Sequence, residues 1–272
     1  IKKIIKALTN TFSSTKVGRL VNEVIIEDVM NRVKDVEYQG LHMRFTIPNS
    51  LNRFRVDSFS SKEPETLEWL DSLPEACTLW DVGANVGLYS IYVAKKKNIR
   101  VFAFEPSVFN MELLARNLFL NNLQEKVTIV PFALSDELGT NIMHMSTTEW
   151  GGALSTFGKD IGWDGGLISE VFTFKTFGLT LDQVVSVLQF PYPDYIKMDV
   201  DGIEHFILQT GPMVLRQVKG ILVEINDDFT EQAEQSIEAL EHAGLTLLEK
   251  RHSEMFNDSK FKSSYNQIWI RK

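Results

Sequence analysis

The sequence predicts an α/β domain: a seven-stranded, mostly parallel sheet with helices on both faces. Three observations predict it. From Thr78 onward, short β-branched and aromatic runs alternate with longer helical runs, the pattern of right-handed βαβ crossovers. The first of these strands runs into a glycine turn and then a helix. The second ends in an acid, Glu105, 22 residues after Gly83.

Residues 1–36 read as helical. The first 20 carry Lys2, Lys3, Lys6, Lys16 and Arg19 and no acid. This basic amphipathic start would suit contact with an anionic membrane surface, or simply a solvated helix packed on the domain. The stretch lacks the apolar block of a secretory signal. It begins at Ile1 rather than Met, which leaves room for an upstream piece. Residues 37–62 read as short strands and turns: Tyr38–Gly40, Met43–Ile47, then Pro48-Asn49. Residues 1–60 are thus an N-terminal helical/β extension, and 61–272 the main domain. Ser61-Lys62-Glu63-Pro64-Glu65 opens a helix, with Pro in the first turn and acids at the positive dipole end.

In the main domain, strands are expected at Thr78–Val82, Val101–Phe104, Val127–Phe132, Tyr195–Met198, Ile221–Val223, Leu245–Leu248 and Asn266–Ile270. Helices are expected at Leu88–Lys96, Val108–Asn121, Ile203–Val218 and Glu231–His242. The last strand follows a polar loop, Arg251–Ser264, rather than a helix, so it should close the sheet antiparallel. Residues 137–180 break the rhythm between the third and fourth strands. Their Gly, Thr, Ser and aromatic content marks a β-rich insertion that either shapes a substrate site or only covers the sheet.

Composition narrows the function. Hydrophobic residues are 44% and charged residues 24% of 272, which excludes a disordered chain. A formal net charge of −8 argues against a nucleic-acid partner. The acidity is local: residues 194–241 hold 11 acids against 3 bases. Cys77 is the only cysteine, so an intrachain disulfide and a Cys-rich zinc site are excluded, and a reducing, cytoplasmic setting fits. No apolar run approaches the ~18 residues of a membrane-spanning helix. Oligomeric state is not readable.

The motifs carry the chemistry. Asp81-Val82-Gly83-Ala84-Asn85-Val86-Gly87 has two glycines where the backbone must bend and a ligand must approach. The spacing is neither G-x-G-x-x-G nor a phosphate-binding loop. Asp81 at the strand end would repel pyrophosphate and suit an ammonium group, so the expected ligand has a cationic amino-acid part. Glu105, before Pro106, can accept hydrogen bonds from both ribose hydroxyls of a nucleoside. Beside it, Phe132 or Leu134 could pack on an adenine and Asp136 accept from its amino group. Lys197-Met198-Asp199-Val200-Asp201-Gly202-Ile203-Glu204-His205 clusters three carboxylates and a histidine where the fourth strand meets a helix. Asp201 and Glu204 also suit a helix N-terminus for purely structural reasons.

Taken in order, Lys62-Glu63-Pro64-Glu65-Thr66, the Asp81–Gly87 turn, Glu105-Pro106, Ala133-Leu134-Ser135-Asp136 and Lys197–Glu204 resemble the FkbM-like branch of the class I S-adenosylmethionine-dependent methyltransferases. The resemblance runs from about Phe59 to Asn226. It implies a Rossmann-like sheet and O-methyl transfer to a hydroxyl of a sugar, glycan or other small natural product. Carried over by position, Asp81, Gly83, Asn85 and Gly87 would line the methionine part of the cofactor. Glu105, with Pro106, would hold the ribose, and Ser135 and Asp136 would lie near the adenine. Glu63 would face the cofactor from the preceding helix, and Asp199 would close the methionine side. Met198 and Asp201 stand where the family often has Ile and Glu, so Asp201 keeps the charge but reaches one methylene less far.

A hydroxyl is a poor nucleophile, so a base or a metal must help remove its proton. Asp199, Asp201, Glu204 and His205 are the candidate bases. An alternative is a magnesium site between Asp199 and Glu224, Asn226 or Asp227 on adjacent strand tips, as in catechol-type enzymes. A non-catalytic nucleoside-binding or scaffold module of the same fold is the other alternative. The preferred reading needs no metal.

Overall fold

A computed structural model describes residues 2–272, and the side chains of Lys2 and of residues 4–8 are not among those described. The expectations for Ile1, Lys2 and Lys6 in the basic start therefore lie outside the described residues. The helical reach expected over 1–36 is broken in two, α1 (Lys2–Ser13) and α2 (Lys16–Met30). Thr15 caps α2, its hydroxyl accepting from Gly18 N–H at 2.9 Å. Val33–Tyr38, partly expected as helix, is instead strand β1, paired antiparallel with β2 (Leu41–Thr46). Gln39 and Gly40 make the turn, both at positive φ. Two short helices follow, α3 (Ser50–Asp57) and α4 (Pro64–Ser72).

The main domain opens with β3 (Thr78–Val82), α5 (Leu88–Lys96), β4 (Arg100–Phe104), α6 (Val108–Asn121) and β5 (Val127–Val130). The third strand stops two residues short of Phe132 because Pro131 cannot donate to a ladder. The insertion supplies β6 (Ala133–Leu134), β7 (Gly139–Met145), β8 (Thr156–Phe157) and β9 (Phe172–Leu179), a separate sheet in the order β6-β9-β7-β8. The chain continues through α7 (Leu181–Ser186), β10 (Tyr195–Met198), α8 (Glu204–Gln209), α9 (Pro212–Gln217), β11 (Gly220–Asn226), α10 (Thr230–His242), β12 (Leu245–Arg251) and β13 (Ser264–Arg271). The single helix expected over Ile203–Val218 is two. Pro212 has no N–H for the turn before it and starts α9 instead.

The main sheet has the order β12-β13-β11-β10-β3-β4-β5. All neighbours are parallel except β13, which runs antiparallel to both β11 and β12, as the missing last helix implied. Both faces are covered. Trp80, Phe104, Met198 and Val223 pack on one side, and Leu79, Val101, Ala103 and Leu222 on the other. That is why these strands read as nearly continuous apolar runs. The extension is stitched to the domain through α6: Asn117 accepts from Thr46 N–H at 2.8 Å, and Asn121 from Arg44 N–H at 3.1 Å.

The chain leaves β3 toward β4 on one side and reaches β10 on the other. Strand order therefore reverses beside β3, and a crevice opens at the carboxyl ends of β3 and β10.

Candidate active site

A cavity of about 380 Å³ occupies this crevice. Its wall is built from the turns after β3, β4 and β10, the residues just before and in β6, Lys62 and Glu63 before α4, and the insertion loop Gly152–Ser155. Gly83 is the pinch point. Its φ is +83°, and a Cβ there would lie 1.8 Å from the backbone oxygen of Asp199. No other residue lets the β3 turn and the end of β10 come this close. Asn85 follows in the same left-handed region, φ 50°. It is held there because its N–H donates to Glu105 Oε2 at 2.8 Å and its Nδ2 to Gly152 O at 2.8 Å.

Glu105 is buried in the wall, its second oxygen accepting from Ser107 N–H at 2.9 Å. Burial pushes its pKa up to about 7, against the pull of those two N–H groups. Beneath the turn lies a buried charge group. Lys197 and Asp81 are register partners on β10 and β3, and each side chain is 2% exposed. Lys197 Nζ is 3.9 Å from Asp81 Oδ1, 3.4 Å from Asp199 Oδ2 and 5.3 Å from the Tyr89 ring centre. Burial would lower the Lys197 pKa, but Asp199, Asp81 and Glu63 hold it above the ordinary lysine value. Burial would raise Asp199, but Lys197 and then Lys62 pull it below the carboxylate range. Glu224 goes the other way. Its own burial, then the charges of Asp199 and Glu63 and a hydrogen bond shared with Asp199, drive it well above that range. Glu63 bonds Lys62 and accepts from the Tyr89 hydroxyl at 3.0 Å.

Asp201 is a strained non-glycine residue at φ 62°. Its Oδ2 accepts from Leu154 N–H at 2.6 Å, and it lines the cavity. Burial first, then the neighbouring Asp199 charge, lift it to about 6. The insertion loop crosses the mouth on a ring of amides. Asn49 and Asn52 donate to Trp150 O, Arg55 to Gly151 O at 2.8 Å, and Asn110 to Gly152 O at 3.0 Å. The N-terminal extension thus reaches the cavity through α3.

The family model described as the methyltransferase FkbM domain matches residues 81–254. The chain belongs to the FkbM methyltransferase family. It is 27% identical over 194 residues to the hexuronic acid methyltransferase AglP of Haloferax volcanii, covering 70% of this chain and 73% of that one. It is 37% identical over 70 residues to the methyltransferase sdnD of Sordaria araneosa, a match spanning 25% of this chain and 27% of that one. Among solved structures, a candidate S-adenosylmethionine-dependent methyltransferase from Streptococcus mutans superposes with a TM-score of 0.50 at 10% identity, over 88% of this chain and 55% of that one. At that identity the likeness speaks for the fold alone. A methyltransferase FkbM from Methylobacillus flagellatus gives 0.49 at 14%, over 95% of this chain and 60% of that one.

In this FkbM chain the cavity wall gathers Glu63, Gly83, Asn85, Glu105, Pro106, Asp199 and Asp201. Other expected residues stand elsewhere. Asp81, expected to meet an ammonium group, is behind the wall, 1% exposed, bonded by Ser90 Oγ at 2.5 Å and facing Lys197. Gly87 starts α5 at φ +83° beneath Leu114, not in the cavity. Ser135 and Asp136 turn away: Asp136 pairs with Lys159 at 2.7 Å, while Phe132, Ala133 and Leu134 line the wall. Glu204 reaches back to accept from Val200 N–H at 2.9 Å and Gly202 N–H at 3.0 Å, so it shapes the loop and faces no ligand. His205 is 0% exposed against Phe206 and Phe229, and burial lowers its pKa to about 4. Neither Glu204 nor His205 reaches the cavity, because α8 begins by turning them into the core.

Of the residues in the magnesium alternative, Asp199 and Glu224 line the cavity and bond each other, while the other two are engaged elsewhere. Asp227 pairs with Lys250, Asn226 donates to Trp163 O at 3.2 Å, and Asp199 already faces Lys62 and Lys197. Among the described residues, no three His, Cys, Asp or Glu side chains gather to hold a metal. Sequence reasoning gave no role to Lys197, Lys62, Tyr89, Asn49, Asn52 or Asn110. A lysine inside an otherwise apolar strand buried on both faces was the available signal for Lys197.

Proposed function

We propose that the chain transfers a methyl group from S-adenosylmethionine to an oxygen of a sugar, glycan or related small natural product. The observation that carries this is the crevice itself: Gly83 closed against the Asp199 carbonyl, with Glu105 buried in the adjoining wall. The residues fit the cofactor. The close approach of the Gly83 turn to the end of β10 sets the floor where its amino-acid part would lie, and a carboxylate with two fixed N–H partners is oriented for a ribose diol. Phe132 and Leu134 offer an apolar face for the base. The acids Glu63 and Asp199 suit its positive charge. When bound, S-adenosylmethionine supplies an electrophilic methyl on a sulfonium. The protein's part is to align the acceptor oxygen and take its proton.

Asp201 is the base we assign. It lines the cavity, one of its oxygens is fixed by Leu154 N–H, and a pKa of about 6 leaves it ionised near neutrality. Asp199 is the weaker base, since two lysines hold its proton affinity down. A sugar acceptor matches the name of the archaeal relative. The free, buried Cys77 is in keeping with a reducing, cytoplasmic setting.

Transfer of a labelled methyl group to a panel of hexuronic acids and neutral sugars, followed by mass spectrometry of the product, tests the reaction. In wild type kcat should rise as pH climbs through about 6, since the base works deprotonated. Asp201→Asn should lower kcat by about 10²–10⁴-fold and flatten that rise, with cofactor affinity kept. Unchanged turnover would remove Asp201 from this role.

A further inference from the structure

We infer that α2 is a self-association surface, which pairs two copies of this chain antiparallel about a two-fold axis. Val17, Leu20, Val21 and Val24 recur at the spacing of one helix face, and Val17 (66%), Leu20 (62%) and Val24 (57%) are largely exposed. Ile25 and Ile26 are exposed too, beside the stripe and on the opposite face, but these four share one face, and a continuous apolar row of that kind suits an interface. α1 does not cover it. Among the described residues, α1 meets α2 through Gly18, packed on Phe12 O, and through Asn22, whose Nδ2 donates to Ser13 Oγ at 2.7 Å. At about 100° per residue, those positions lie more than a quarter-turn from the centre of the stripe.

The charges say what covers it. Lys16, Arg19, Glu23 and Glu27 line one edge of the stripe, basic in the N-terminal half and acidic in the C-terminal half. That order opposes the helix dipole, which favours acids at the start and bases at the end. Within one chain the arrangement is unfavourable, and the salt bridges of the described residues engage none of these four. A second α2 laid antiparallel reverses it. With the pair centred between Val21 and Asn22, Lys16 stands level with the copy's Glu27, and Arg19 within one residue of the level of its Glu23. The apolar stripes then face each other, and each helix's charges meet the partner's opposite dipole end. An anionic membrane would meet Glu23, Glu27 and Asp28 on the same surface, so it complements only half of the helix.

Analytical ultracentrifugation of the full chain over a wide concentration range tests this. Wild type should form a dimer. Leu20→Glu with Val24→Glu should weaken it at least about a hundredfold in Kd, with the circular dichroism spectrum and thermal transition retained. Glu23→Lys with Glu27→Lys should weaken it about tenfold or more, and adding Lys16→Glu with Arg19→Glu should restore it. That restoration is specific to antiparallel pairing. A monomer at every concentration, a dimer insensitive to the Leu20 and Val24 changes, or a failed restoration would each overturn the inference. So would a monomer that co-sediments with phosphatidylserine vesicles through the same stripe.

Discussion

Gly83→Ala is expected to lose about 3–5 kcal/mol of stability and all measurable cofactor binding. The methyl group would sit 1.8 Å from the Asp199 carbonyl oxygen. That contact is with backbone, so no rotamer relieves it, and the φ of +83° adds the left-handed penalty. Either β10 moves away from β3, which breaks the Asp199 N–H to Val82 O bond of 3.0 Å, or the turn unwinds. Both outcomes displace Asp199 and Asp201 together. Urea denaturation and calorimetry with S-adenosylhomocysteine read the two losses independently. Gly40→Ala, also at positive φ but with nothing within 4 Å of an added Cβ, is the control for backbone strain alone.

Lys197→Met has the second large effect. The side chain is of similar length, so packing is conserved, but Asp81 and Asp199 lose the cation between them. Breaking a buried ion pair from one side costs about 3–5 kcal/mol, because the remaining charge stays buried and unpaired. The pH dependence has a fixed sign. Burial alone would raise Asp199, and it is Lys197 and Lys62 that depress it. A depressed carboxylate contributes stability above its unfolded pKa, and that contribution disappears as pH falls through the folded value. The gap between wild type and variant should therefore be largest at neutral pH and narrow as pH falls, first as the unpaired Asp81 and Asp199 of the variant take up protons above the ordinary carboxylate range, then as Asp199 of wild type is protonated below it. A gap that stayed constant with pH would make the loss one of packing rather than charge.

The sheet was legible because its physics is local. Parallel strands covered on both faces must be apolar throughout, and each ends in a turn residue of a special kind. Gly83 and Glu105 announce themselves this way, and both reach the cavity wall. What was not legible depends on which way a side chain faces after a turn. Glu204 and His205 follow Asp201 within four residues, yet the positive φ of Asp201 and Gly202 swings the chain so that α8 carries them into the core. Asp81 reads as a ligand for an ammonium group, and it does meet one, but that group is Lys197 of the neighbouring strand rather than a bound molecule. The strand parity of Lys197 opposite Asp81 was present in the sequence and becomes informative once the strand order is known. The amide ring over the mouth joins Asn49, Asn52, Asn85 and Asn110 across some 60 residues, with no spacing to mark it. Single asparagines become a set only when the fold collects them.

The central claim is that this crevice holds S-adenosylmethionine with Glu105 on the ribose. Isothermal titration of S-adenosylhomocysteine at pH 8, where Glu105 is ionised, addresses it most directly. Wild type should bind one equivalent, and Glu105→Gln should bind at least about tenfold more weakly, since the amide replaces one charge-assisted acceptor with a donor. Absence of binding by the folded wild type, or equal affinity in the variant, would contradict it.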